Sequence, residues 1–480
     1  MPADTNIMSP TTARLAPRQP PHQMRTMLAL SDTRLPVPPL KSGRRSQVEA
    51  FLVLRRNPLE LWGPDAYEHG ILPGKFLGRL QLMLNDPVAI RHVLLGNHEN
   101  YQRNEPTRRV LRPILGKGLF LAEGESWRHQ RRVIAPSLAP RVMPILIRHM
   151  LRVMDTVEGE LDVRLGRPVD LISVLQRLTL DIAGQSMFSL EMGRFGADMR
   201  GLMMRYALNH AKVGVLDLML PGHVPSPLDR GRAAFRKDWL ALIDRIVEAR
   251  DQVPRPDDEP RDLLDLLRAA RDPETGEGFD QAQLRDEVST LILAGHETTA
   301  VSLFWACYIA ARRPEMQARI AAEAEAADLS APDAVSRLPF TRAFLDETLR
   351  LYPPAYLIVR EAQAADEIMG RPIAAGTVIS ISPWVLHRHR LHWLDPERFD
   401  PQRFLPGATP PDRMVYMPFG AGPRICVGAQ FALTEGVLVL ARLLRRFRLE
   451  LIGAPSVRPR GLITTQPDRR VPFLISHRQT

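Results

Sequence analysis

Apolar side chains recur at helical spacing over residues 281–312, the longest such pattern in the chain, and Pro314 bars its continuation. At about 1.5 Å per residue a helix of that length crosses an entire domain. The same periodicity predicts helices over 338–351 and 428–447 and an amphipathic one over 229–250. Residues 47–68 read as largely helical, with apolar Phe51, Leu54, Leu59 and Leu61 and breaks at Pro58 and Pro64. Between 138 and 252 helical patterns are interrupted by prolines, with a loop at 221–227. Polar loops at 252–261 and 271–280 flank a short helix for which Asp262 is the expected N-cap. Strand-like patterns are confined to 75–84, 356–360 and 377–382, and Asn85-Asp86-Pro87 predicts the start of a short helix through Val88, Ile90 and Leu94. The expected fold is mainly α with a few strands.

Residues 1–45 carry many Pro, Arg and Thr without apolar periodicity and are expected to be an extended or disordered arm ending in Leu35-Pro36-Val37-Pro38-Pro39. Residues 46–480 are expected to form a single domain. With 45% apolar and 25% charged residues, the chain has the composition of an ordinary globular protein. No stretch reaches the eighteen or so apolar residues of a membrane span, and the N-terminus lacks the apolar core of a signal peptide. Two cysteines, Cys307 and Cys426, make no disulfide framework and fit a reducing compartment, so a cytoplasmic location without a membrane anchor is expected. The net charge of +10 comes from scattered arginine rather than a basic stripe, which argues against a nucleic-acid partner. Cys307 shares an apolar helical face with Phe304, Trp305 and Ile309 and reads as a packing residue.

Candidate chemistry concentrates in Phe419-Gly420-Ala421-Gly422-Pro423-Arg424-Ile425-Cys426-Val427-Gly428, just ahead of a helix. Its glycines permit tight turning and close approach to a flat ligand. A thiolate there gains from the helix dipole, and Arg424 places a cation nearby that can also reach a carboxylate. One soft sulfur without further Cys or a Cys/His cluster excludes most zinc and iron–sulfur designs, but suits an iron whose porphyrin supplies the other ligands. The pattern Phe-x-x-Gly-x-Arg-x-Cys-x-Gly resembles the heme-binding signature of the cytochrome P450 superfamily, the heme-thiolate monooxygenases. The resemblance spans about residue 47 to the C-terminus and implies Cys426 as the iron ligand, with Phe419 and Arg424 against heme b.

Further stretches fit the same family. Trp127 and Arg131, four apart on a helix, pair an indole N–H with a guanidinium fork suited to a carboxylate. They resemble the family's propionate-binding Trp-x-x-x-Arg, while Arg128 and Arg132 are as well explained as a solvated basic face. Near the middle of the long helix, Ala294-Gly295-His296-Glu297-Thr298 resembles the oxygen-activation motif. There the resemblance implies that Glu297 and Thr298 relay protons during dioxygen activation, with room left by Ala294 and Gly295. The alternative for Thr298 is back-bonding to a helix carbonyl, and His296 reads as packed or pocket-edge. Glu347, Arg350 and Arg403 resemble the family's structural triad, a buried ion network whose role is scaffolding. Arg360, at the end of a strand-like run, resembles a second propionate arginine, and Leu386-His387-Arg388 matches a further recurring element.

The resemblance implies a P450 fold with heme between the long central helix and the cysteine loop, and a small β-rich lobe beside the entrance. It further implies O2 as co-substrate and insertion of one oxygen atom into a hydrophobic small molecule, such as a fatty acid, terpenoid or other lipid-like compound. No flavin or iron–sulfur motif accompanies the cysteine, so a separate ferredoxin, flavodoxin or reductase is expected to supply electrons. Arg128, Arg132, Arg442, Arg445, Arg446 and Arg448 are candidates for a basic docking face, with dipole pairing at a helix C-terminus as the alternative. A heme-thiolate isomerase or peroxygenase typically lacks an intact acid–alcohol pair, which this chain has. A heme-bound sensor would need a DNA-binding or signalling module, which it lacks.

Overall fold

The computed structural model describes residues 35–478, apart from 44, 212, 221, 223, 254–259 and 454–455. Most of the expected N-terminal arm, residues 1–34, and parts of the loops at 221–227 and 252–261 lie outside the described residues. From Leu35 the chain packs on the core: Leu35 is buried, and the Tyr352 hydroxyl donates to the Pro36 carbonyl at 2.9 Å.

The long apolar pattern is one helix, Gln281–Arg312, set at its start by a capping box between Asp280 and Gln283 and followed at once by the helix Pro314–Glu325. From Ala300 to Ala310 nearly every side chain is buried, because the helix is enclosed on all sides. The helix Leu171–Phe188 packs along it, and Ala429–Arg446, Pro339–Leu351 and strand Phe447–Leu451 also contact it. Trp305 stacks on Tyr352 with ring centroids 4.1 Å apart, joining the central helix to the end of Pro339–Leu351. Cys307 is fully buried in this core and its thiol is pushed up to about 12 by desolvation.

The β lobe is a five-stranded sheet in the order Ile71–Phe76, Arg79–Leu84, Val378–Ile381, Ile358–Ala362, Tyr101–Gln102. The expected single strand over 75–84 is corrected: it holds the end of one strand, a turn and the whole second strand of a hairpin. Leu77 (φ 46°) and Gly78 (φ 80°) both adopt left-handed backbone, the geometry of a tight two-residue hairpin turn, and pair Phe76 with Arg79. Leu77 lacks the glycine signal that ordinarily marks such a turn. Arg79–Leu84 then pairs in parallel with Val378–Ile381, Leu82 opposite Ile379, tying sequence segments almost 300 residues apart. A three-stranded sheet (Pro168–Asp170, Pro472–His477, Phe447–Leu451) and the hairpins Asp366–Ile368/Arg371–Ile373 and Pro459–Gly461/Thr465–Pro467 complete the strands. Asp86 caps the helix Pro87–Arg91, and Asp262 caps Leu263–Ala269 through the Asp265 N–H.

Candidate active site

The cysteine loop is built by two glycines with left-handed backbone, Gly420 (φ 73°) and Gly422 (φ 72°). A Cβ on Gly422 would lie 1.9 Å from the Leu94 carbonyl oxygen, so this glycine serves a close approach to the π-turn His92–Gly96 rather than to a flat ligand. The Cys426 N–H donates to the Phe419 carbonyl at 2.9 Å, closing the loop one turn before the helix Ala429–Arg446 begins. Cys426 is accessible as a residue, yet protein surrounds its thiol closely enough that desolvation pushes the pKa up; the Gly428 N–H and the Arg131 guanidinium oppose this. The cation beside the sulfur is therefore Arg131, whose Nη1 also donates to the Ile425 carbonyl at 2.8 Å. Arg424 turns away from the thiol: it ion-pairs with Glu123, donates to the Ala122 carbonyl at 2.8 Å and lies 4.5 Å over the Trp127 ring.

Trp127 is buried on the helix Gly124–Ile134, and the stacked Arg424, rather than Arg131, is its guanidinium neighbour. Two more arginines crowd the same place. Desolvation first, then repulsion from Arg360 and Arg424, lowers Arg103 to about 9, and desolvation with Arg424 lowers Arg360 to about 10. The acid beside all three is Glu123, which Arg103 also meets at 3.3 Å. Three desolvated guanidiniums sharing one carboxylate leave positive charge for a ligand that brings anionic groups. Arg103 and Glu123 were not legible as site residues, since nothing in the local sequence distinguishes them from other scattered charges.

A lone thiol also defines what metal fits. Among the described residues no three His, Cys, Asp or Glu side chains gather as a metal site. Iron bound at Cys426 must therefore bring its other donors with it. A porphyrin with carboxylate side chains satisfies both the single sulfur and the arginine excess.

On the central helix, Ala294 is exposed while Leu293, His296 and Thr299 around it are buried. Added volume at Gly295 would meet nothing within 4 Å. The Thr298 hydroxyl donates to the Ala294 carbonyl at 2.6 Å, the back-bonded alternative, which leaves the hydroxyl lone pairs free to accept. Glu297 points to the C-terminal hairpin, where its Oε1 accepts from Thr464 Oγ1 at 3.0 Å and Gln466 Nε2 at 2.8 Å. Desolvation raises its pKa and these two donors oppose the rise. His296 is packed, and desolvation lowers its pKa to about 4, so the imidazole is neutral.

Below the cysteine loop, Glu347 and Arg350 are both fully buried and pair through two bonds of 2.6 and 2.7 Å. Arg350 also donates to the carbonyls of His387 (2.7 Å), Pro396 (2.7 Å) and Arg398 (2.9 Å), so its charge is completely solvated by protein. Arg403 approaches Glu347 at 3.6 Å, and the Asp400 N–H donates to it at 2.8 Å. His387 continues the scaffold, accepting the Met417 N–H at 3.0 Å just ahead of the cysteine loop.

Two acids on the central helix escaped the sequence reading. Asp286 accepts the Lys117 N–H and an Arg236 guanidinium N–H, each at 2.8 Å, and both oxygens of buried Glu287 lie 3.0 Å from the Leu119 nitrogen. They hold the loop that leads into the Trp127 helix. The available signal was a pair of acids in an apolar helix. The expected basic face is largely neutralised: Arg128 pairs with Glu99 and Glu125, and Arg132 with Asp272 and Glu274. Arg442 and Arg446 share Glu158 and reach Asp155 and Asp162 respectively, while Arg448 pairs with Glu450.

A mainly helical fold with a buried ion network beside an arginine-flanked cysteine fits a heme protein. The family model for cytochrome P450 matches residues 70–470. Cyclooctatin synthase of Streptomyces melanosporofaciens is 32% identical over 429 residues, covering 88% of this chain and 92% of its own. Cyclooctat-9-en-7-ol 5-monooxygenase of the same organism is 31% identical, covering 85% and 88%. Protein LUTEIN DEFICIENT 5, chloroplastic, of Arabidopsis thaliana is 32% identical, covering 78% and 67%. The crystal structure of the cytochrome P450DA heme domain superposes with a TM-score of 0.78 at 25% identity, covering 93% of this chain and 99% of that one. The chain belongs to the cytochrome P450 family and is a heme-iron monooxygenase. Among the described residues no helix is long and apolar enough to cross a membrane.

Proposed function

We propose that this P450 carries heme b on Cys426 and inserts oxygen from O2 into a hydrophobic small molecule of terpenoid or similar hydrocarbon type, with electrons from a separate protein. The observation that carries the cofactor reading is the cluster of Arg103, Arg360 and Arg424 around a single Glu123, a natural seat for two propionates. Trp127 and Arg131 complete that side, Arg131 lying close enough to Cys426 to stabilise its thiolate. When bound, the heme supplies oxygen activation and the oxidising power. The polypeptide's share is to bind, orient and protonate.

Glu297 is the proton carrier in this reading. Desolvation raises the pKa of its carboxyl, and among the described residues no cation opposes that rise. Thr298, its hydroxyl proton held by Ala294 O, presents lone pairs that accept a proton-bearing group at the site. Glu347, Arg350 and Arg403 hold the cysteine loop and take no part in turnover. The substrate class is supported by the two Streptomyces relatives, one of which is named for oxidising cyclooctat-9-en-7-ol. Members of this family generally take an electron-transfer partner. Its docking here does not depend on a broad basic face, since most of the candidate arginines are paired within the chain.

The test is coupling. With a substrate found by spectral titration of a terpenoid alcohol panel, Glu297→Gln and Thr298→Ala are expected to keep heme and substrate affinity. They should divert most reducing equivalents to peroxide or water. Unchanged coupling in both variants overturns the relay, and no spectral response from any panel member overturns the substrate class.

A further inference from the structure

We infer that Thr464 and Gln466, in the C-terminal hairpin, are positioning residues for Glu297 that saturate its Oε1 and thereby assign its exchangeable proton to Oε2. The inference rests on the proposed relay role of Glu297 but concerns a different property, the side of the carboxyl that carries the proton. Thr464 Oγ1 donates to Glu297 Oε1 at 3.0 Å and Gln466 Nε2 donates to the same oxygen at 2.8 Å. Gln466 Nε2 also donates to Thr464 Oγ1 at 3.0 Å, so the three side chains close a triangle in which every donor has an assigned acceptor. An sp2 oxygen already accepting two hydrogen bonds has no lone pair left for a proton. The proton of the neutral acid therefore resides on Oε2.

The triangle is held from the hairpin side by firm anchors. Trp305, eight residues along the central helix from Glu297, donates its indole N–H to the Thr465 carbonyl at 2.8 Å. Thr465 donates through its hydroxyl to the Pro353 carbonyl at 2.6 Å and through its N–H to Pro354 at 3.2 Å. Tyr356 donates to the Leu462 carbonyl at 2.7 Å. Glu297 is thus oriented by a segment remote in sequence, stitched independently to the central helix and to the 353–356 stretch. Among the described residues no charged side chain adds to or opposes the upward shift of Glu297: desolvation drives it, and the two neutral donors counter it. A cation in their place would hold the group ionised, whereas amide and hydroxyl donors orient it while leaving it able to gain and lose a proton.

The test is an infrared titration of the heme-loaded protein, following the carboxylic C=O band that disappears in Glu297→Gln. Gln466→Leu and Thr464→Val each remove one donor to the carboxylate. Each is expected to tighten proton binding about tenfold, raising the midpoint by about one pH unit, and to move the band to higher wavenumber. Thr464→Ser keeps the hydroxyl and is expected to titrate as wild type. An unchanged midpoint and band position in both Gln466→Leu and Thr464→Val overturns the assignment, as does an equal change in Thr464→Ser. Full coupling in Glu297→Gln would instead remove the relay and leave this titration as it stands, so the two failures are told apart.

Discussion

Replacing Gly422 by alanine tests how the cysteine loop is held. Two glycines either side of Ala421 share nearly the same φ, Gly420 at 73° and Gly422 at 72°, but differ in surroundings. A Cβ at 420 meets nothing within 4 Å, whereas one at 422 meets the Leu94 carbonyl oxygen at 1.9 Å, far inside the 3.0 Å that such contacts respect. Gly420→Ala therefore costs only left-handed strain, about 1–2 kcal/mol. Gly422→Ala adds an overlap with backbone, which cannot swing aside as a side chain does. Relieving it moves either the π-turn His92–Gly96 or the loop itself, at a further cost of about 1–3 kcal/mol. The expected total for Gly422→Ala is about 2–5 kcal/mol. The assay is urea unfolding followed by far-ultraviolet circular dichroism, with the Soret band as a reporter of the loop. Gly422→Ala is expected to lose thiolate-type absorption at urea concentrations where Gly420→Ala retains it. Equal midpoints and equal Soret behaviour in the two variants would refute the reasoning.

Other consequences are equally direct. Arg103→Leu and Arg360→Leu relieve mutual repulsion among buried guanidiniums, so each is expected to raise the melting temperature of heme-free protein while speeding heme loss about tenfold to a scavenging apoprotein. A slower or unchanged heme transfer in both would count against the propionate assignment. Glu287, raised to about 8 by desolvation with Asp286 assisting, binds its proton more tightly folded than unfolded. Its contribution is full below the unfolded carboxyl range near 4.5 and declines as pH rises to about 8. Glu287→Gln should therefore gain stability relative to wild type as pH rises from 4.5 to about 8, by up to a few kcal/mol, and a pH-independent difference would contradict this. Glu347→Gln leaves the buried Arg350 charge short of its partner, and a loss of about 3–5 kcal/mol in urea unfolding is expected; a loss below about 1 kcal/mol would show the carbonyl cage to be sufficient.

Features carried by contiguous residues were readable in the chain. The central helix was bounded by Asp280 and Pro314, and the cysteine loop, Glu347, Arg350 and the Ala294–Thr298 stretch each sit in short local patterns. Features made by distant pairs were not. Arg103, Glu123, Arg360 and Arg424 come from four separate segments, and only folding reveals that one carboxylate serves three guanidiniums. Thr464 and Gln466 lie more than 160 residues from the acid they hold, in a hairpin without a distinctive motif. The arginines read as a docking face look free in sequence because their acids, such as Glu158 and Asp272, sit more than a hundred residues away. The hairpin at 71–84 was missed because Leu77 takes a left-handed conformation that its residue type does not advertise.

The central claim is that sulfur of Cys426 ligates the iron, and the absorption spectrum of the reduced protein under carbon monoxide tests it most directly. Wild type is expected to give the red-shifted Soret band of a thiolate-bound heme, and Cys426→Ser to lose that shift while circular dichroism reports an intact fold. The same red-shifted band in the serine variant, or its absence from heme-loaded wild type, would contradict the account.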